Sequence, residues 1–183
     1  MKKILLVLPH LSVPGGVANY YNLIIPYLKE QNSFELRTLE VGRVAHQDFV
    51  ANFMRPLSDQ HRFRSILDAG KFDIVHVNPS LDFKSFVRDG LFIAQAKKGG
   101  SKVIVFFRGW YNSFERKIDL SLSGFFKKTY GLADAFIVLS SHGKEKLKEW
   151  KIKKPIYEET TVVTDEFLKQ CNLENKLDKL KNN

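Results

Sequence analysis

The chain has 183 residues, 44% hydrophobic and 27% charged, so it can bury a real core and is not a disordered polyelectrolyte. Its one cysteine, Cys171, excludes an internal disulfide, leaves a zinc cluster built from this chain without support, and points to a reducing, cytoplasmic setting. The net charge of +9 asks for an anionic partner, with nucleic acid, an anionic membrane face and phosphorylated substrates as the candidates.

Lys2 and Lys3 ahead of the apolar run 4–8 imitate a secretion signal. Pro9-His10 ends that run early and no small-residue cleavage site follows, so it reads as a buried first strand. No apolar stretch approaches the ~20 residues needed to cross a bilayer. Residues 17–28 read as a helix with Val17, Tyr21, Ile24, Ile25 and Leu28 on one face, and Pro26 should bend it or end it early. Residues 34–41 read as the second strand, 42–56 as irregular, and 57–69 as a short helix closed by Gly70. A third strand, 72–77, runs into Asn78-Pro79-Ser80. A helix over 83–98 closes at Gly99-Gly100, and 102–107 is the fourth strand. A helix over 120–132, a fifth strand at 135–139 and a helix from Ser141, with Ser141 as its N-cap, complete the pattern. The polar, helix-prone tail carries Phe167, Leu168, Leu173, Leu177 and Leu180.

The first, third, fourth and fifth strands are apolar on both faces, as in a parallel sheet covered on both sides. Their alternation with helices predicts an α/β fold, a doubly wound, mostly parallel, Rossmann-like sheet with helices on both faces. Residues 1–165 form that domain, and 166–183 a helical tail or linker.

Ligands of such sheets bind beyond the carboxyl ends of the strands. There the sequence places His10 and Gly15-Gly16, Asn78 with Ser80, Arg108-Gly109-Trp110, and Ser141-His142. Gly, Asn, Ser, His and Arg suit a phosphate or a polyol. Gly15-Gly16 opens a helix, where backbone N–H groups and the helix dipole attract an anion, although a tight strand-to-helix turn needs the same residues. The pair is neither a GxGxxG fingerprint nor a P-loop. His76, inside a strand, reads as a hydrogen-bonded core histidine. Trp110, Tyr111, Phe114, Arg116, Lys117, Lys127 and Lys128 mix rings with charge, which suits a peripheral site on an anionic membrane surface. No nucleic-acid motif accompanies them, and no metal-ligand pattern is present.

The ordered set (first strand, Pro14-Gly15-Gly16-Val17, 73–77 with Asn78, Arg108-Gly109-Trp110, then 133–140) resembles the N-terminal domain of family-4 retaining glycosyltransferases with the GT-B fold. The resemblance spans residues 1–165. It implies a domain that binds mainly the acceptor, a saccharide or a lipid-linked one, and that faces a second domain holding the nucleotide sugar through two glutamates. It implies that Gly15 and Gly16 contact the donor diphosphate, that attack occurs on the face the phosphate leaves, and that no protein nucleophile and no cofactor is required. The tail 166–183 then leads toward a catalytic partner half absent from this chain, which alone should be inactive. Two positions depart from the pattern. Arg108 stands where a histidine is usual, and 158–165 replaces a Pro-Asn-Gly-Val-Asp-like turn. The alternative is a non-catalytic Rossmann-like module that binds a ligand or a partner.

Overall fold

In the computed structural model, which describes residues 1–42 and 49–162, the β-rich segments join into one six-stranded, all-parallel sheet. In chain order the elements are β1 (Lys2–Pro9), α1 (Gly16–Glu30), β2 (Phe34–Val41), α2 (Phe49–Ala69), β3 (Ile74–Val77), α3 (Phe83–Lys98) and β4 (Lys102–Phe107). They continue with α4 (Asn112–Lys117), a π-helical turn (Ile118–Leu122), α5 (Ser123–Lys128), a 3-10 turn (Tyr130–Leu132), β5 (Ala135–Val138), α6 (Ser141–Glu149) and β6 (Ile156–Glu158). The strand order is β2-β1-β3-β4-β5-β6, so the chain reverses its direction along the sheet between β1 and β3. The expected doubly wound α/β architecture is therefore present, with β6 as a strand the sequence pattern did not reveal. The tail 166–183, Cys171 and His46 lie outside the described residues.

Alternation along the strands feeds two cores. Leu5, Val7, Val75, Val77, Val103, Val105, Phe107, Phe136 and Val138 join Phe63, Phe86, Phe126 and Leu147 from the helices in the larger one. Leu6 and Leu8 pack with Tyr21 and Ile25 of α1 in the smaller one. Aromatic rings dominate the large core. Tyr130 stacks on Phe86 at 5.0 Å and on Phe126 at 5.2 Å, pairs each worth about 0.5–1.5 kcal/mol beyond area burial.

Several boundaries differ from the sequence reading. Pro26 does not end α1, which runs on to Glu30. Pro26 and Asn22 are both exposed, so water can take the carbonyl that a proline N–H cannot reach. The segment read as irregular up to residue 56 is helical from Phe49, with Pro56 inside α2. The helix read as 120–132 begins at Asn112 and is broken by the π-helical turn. Phe114 and Ile118 share one face at i,i+4, and the wide turn shifts the phase so that Phe126 beyond it also reaches the core, while Leu120 is left 86% exposed. Ser140, not Ser141, caps α6, its Oγ accepting from the N–H of Gly143 at 3.3 Å.

Candidate functional site

A cleft of 280 Å³ opens at the carboxyl edge of the sheet, between the ends of β1 and β3. This is where the strand order reverses, the place at which open α/β sheets leave a crevice. His10, Gly15, Gly16, Asn78 and Ser80 line it, joined by Gly42, Ser85 and Arg88.

The helix N-terminus is unusually bare. Gly15 offers no side-chain cap, and the first turn of α1 holds no acidic residue. Its leading N–H groups therefore carry the full partial positive charge of a helix start. A Cβ added at Gly15 or Gly16 meets nothing within 4 Å, so packing does not explain the glycines.

The floor is tied together by Asn78. Its Nδ2 donates to the Val7 carbonyl at 2.8 Å, and its Oδ1 accepts from the Tyr21 hydroxyl. One buried amide thus joins β3, β1 and α1. Burial, then the nearby Tyr20, push the Tyr21 hydroxyl well above its ordinary value, so it stays a donor.

His10 is held on both sides. Its Nε2 lies 2.8 Å from Nη2 of Arg55 and its Nδ1 2.8 Å from Oε2 of Glu40. Arginine only donates, so Nε2 accepts and Nδ1–H donates to Glu40. Behind the cleft, Asp59 is fully buried and accepts the Gly42 N–H at 2.8 Å, with Arg55 and Arg62 each at 3.4 Å and Arg88 at 4.0 Å. Arg88 also forks onto Asp89, at 2.7 and 3.0 Å. Burial lowers its affinity for a proton, but Asp89 and Asp59 outweigh burial and hold the guanidinium above its ordinary value. Arg88 therefore stays protonated in the wall of the cleft that Gly15-Gly16 also lines, its charge shared with Asp89 and Asp59.

The sequence reading missed Glu40, Gly42, Arg55, Asp59 and Arg88. Glu40 is the last residue but one of β2 and Gly42 directly follows the strand, where no residue pattern marks a site. The residues on α2 and α3 carry no sequence signal that they meet.

The loops expected to converge share one edge but split into two groups. Leu81 N–H donates to the Gly109 carbonyl at 2.9 Å, and Gly109 lies so close that an added Cβ would sit 3.0 Å from Ser80 Oγ. Beyond this seam, Trp110 Nε1 donates to Oε2 of Glu115 at 2.8 Å, and His142 Nε2 reaches the same oxygen at 2.8 Å. Burial raises the Glu115 carboxyl, but the bonds from Trp110 and His142 and the charge of Lys146 outweigh it and hold it below its ordinary range. Ser141 donates to Glu158 at 2.7 Å. These residues border the cleft without lining it.

Arg108 turns to the α1 side of the sheet. Its guanidinium lies 3.8 Å from the Tyr20 ring centre and 4.8 Å from that of Phe106, with Nε and Nη1 buried and unbonded. His76 lies beside it. Burial, then the Arg108 charge, push its imidazole down to about 4, and its Nε2 lacks the hydrogen bond expected of it.

The surface cluster needs correction. Phe114 is only 5% exposed and belongs to the core, and Trp110 stacks against Trp150 at 5.8 Å. Tyr111 and Leu120 are the apolar groups that face solvent there, beside exposed Arg116, Lys117, Lys127 and Lys128. Among the described residues, no helix is long and apolar enough to cross a membrane and no group of three His, Cys, Asp or Glu is placed to hold a metal ion.

Among known proteins, the family model described as Glycosyltransferase Family 4 matches residues 14–158 of this chain. No curated protein matches it.

Proposed function

As the chain belongs to glycosyltransferase family 4, we propose that it is the acceptor-side domain of an enzyme moving a hexose from a nucleotide sugar to a saccharide or lipid-linked acceptor with retention. The observation that carries this reading is the uncapped start of α1 in the lining of the switch-point cleft, together with Arg88. The first-turn N–H groups and Arg88 would hold the donor diphosphate. Ser80 and the remaining hydrogen-bonding capacity of Asn78 would bind hydroxyls, with His10 holding Glu40 and Arg55 at the rim. In the reaction the bond from the sugar anomeric carbon to the phosphate oxygen breaks. The acceptor oxygen bonds to that carbon on the same face, and its proton passes to the departing phosphate oxygen. The backbone N–H groups stabilise the charge gathering on that phosphate. Holding the nucleoside and the sugar ring would fall to a second domain, so this chain by itself would bind the diphosphate but not turn over.

The exposed Arg116, Lys117, Lys127 and Lys128, with Tyr111 and Leu120, support peripheral contact with an anionic bilayer, where a lipid-linked acceptor would be met.

Equilibrium titration of the chain with a panel of nucleoside diphosphates tests the reading. Binding that weakens in Arg88→Gln and is lost in Gly16→Val supports it. Absence of binding by every diphosphate, at millimolar concentration, would overturn it in favour of a module without a nucleotide-sugar role.

A further inference from the structure

Arg108 is set apart from the other partly buried arginines. Among the described residues Arg55, Arg62 and Arg88 all reach Asp59, at 3.4, 3.4 and 4.0 Å. Arg108 pairs with no carboxylate there, and its Nε and Nη1 are buried without a hydrogen bond. Tyr20 and Phe106 shield the guanidinium from water and offer it ring faces only. Donors kept from water and left unbonded are costly, so this side chain is held short of the partners it can take.

Its surroundings show what such a partner could be. Phe107 pairs with Val138 and Val138 with Glu158. The next residues, Arg108, Leu139 and Glu159, therefore stand in a row at the carboxyl edge. Phe107 and Val138 point into the larger core, and strand alternation turns the row to the opposite face, where α1 alone among the described helices packs. Leu139 is 40% exposed, Glu159 is exposed, and a depression of 600 Å³ beside them is lined by Leu139, Glu158, Glu159, Thr160 and Thr161. Two strand spacings put the backbones of Arg108 and Glu159 about 10 Å apart, room for a sugar ring over Leu139.

We propose that this row is an acceptor subsite for a saccharide carrying an acidic group, a carboxylate or a phosphate, with Arg108 reading the charge. The inference rests on the function proposed above and names the class of its acceptor. The guanidinium lifts from the rings and forks onto the acidic group. Glu159 and the Thr160 and Thr161 hydroxyls take ring hydroxyls. Glu159 repels the acidic group, so the sugar enters in one orientation.

The test titrates the chain with glucose, glucuronate and glucose 6-phosphate, which differ only at C6. It is read by NMR at the Arg108 Nε–H and the Leu139 methyls, signals that report this site and not the diphosphate cleft. Either acidic sugar should bind at least about tenfold tighter than glucose, the scale of a charge-assisted bond. The larger response of the two identifies carboxylate or phosphate as the group read. Arg108→Met should melt no lower than the parent, because it removes an unpaired, desolvated charge, and its Leu139 methyls should lose the acid preference. Equal response to the three sugars, no response to any, or an acid preference that survives in Arg108→Met would overturn the proposal. So would an Arg108→Met chain that melts well below the parent, which would make the guanidinium a packing element. A parallel nucleoside-diphosphate titration separates the two readings. Diphosphate binding without a response to acidic sugars sinks the subsite alone, and silence in both sinks the proposed function as well.

Discussion

The hydroxyl of Tyr21 in α1 donates to the side-chain carbonyl of Asn78, the residue directly after β3, and so fixes the start of the helix over the cleft floor. Tyr21→Phe leaves a buried acceptor without its donor. The expected loss is about 1–2 kcal/mol in a denaturant melt. Asn78→Ala, which also frees the Val7 carbonyl, should lose more. A Tyr21→Phe melt identical to the parent would mean that the contact contributes nothing.

Gly16 separates binding from stability. An added side chain there meets only open space, so Gly16→Val should melt within about 0.5 kcal/mol of the parent. Nucleoside-diphosphate binding should nevertheless be abolished, because the valine occupies the approach to the first-turn N–H groups. A variant that unfolds early would instead show that the glycine serves the turn.

Gly42 is required by the backbone. Its φ of +86° favours glycine, and an added Cβ would sit 2.9 Å from Nη1 of Arg88. The Asp89 fork pins that guanidinium, so it cannot simply swing aside. Gly42→Ala should cost about 1–2 kcal/mol and weaken diphosphate binding by displacing Arg88. Equal stability of the Ala variant and the parent would remove the constraint.

His76 gives the protein an acid sensitivity distinct from that of its carboxylates. Its imidazole is pushed down to about 4 in the fold, against an ordinary value near 6.5. The unfolded chain therefore takes up a proton that the folded one refuses. Stability is full above about pH 6.5 and falls as the pH drops toward 4, by roughly 2–3 kcal/mol for this one group. Chemical denaturation between pH 7 and 4.5 should show the slope, and His76→Gln should flatten it. An unchanged slope in that variant would assign the effect elsewhere.

The charged surface predicts binding to anionic vesicles that weakens with salt, since exposed charges are screened within about 10 Å. Leu120→Ser should reduce co-sedimentation, whereas Phe114 substitutions should act through stability. No difference between neutral and anionic vesicles at low salt would return these lysines to plain surface.

The sequence by itself determined the architecture. Apolar runs such as 4–8 and 102–107 are buried on both faces over 5–8 and 105–107, and their alternation with amphipathic helices admits little other than a parallel layered sheet. The glycine pair at the first helix start and Asn78 were legible for the same reason, because both fall in the connections that leave strand ends. What only the tertiary structure decided was which side chains meet. Glu40, Arg55, Asp59 and Arg88 come from three separate elements, and nothing local in any one of them records the other two. Trp110 and Phe114 show the reverse failure, since basic neighbours made them resemble a surface while Phe114 packs on Phe86 in the core and Trp110 on Trp150. A side chain's direction depends on the phase its helix reaches after packing, and that phase is set by long-range burial rather than by neighbouring residues.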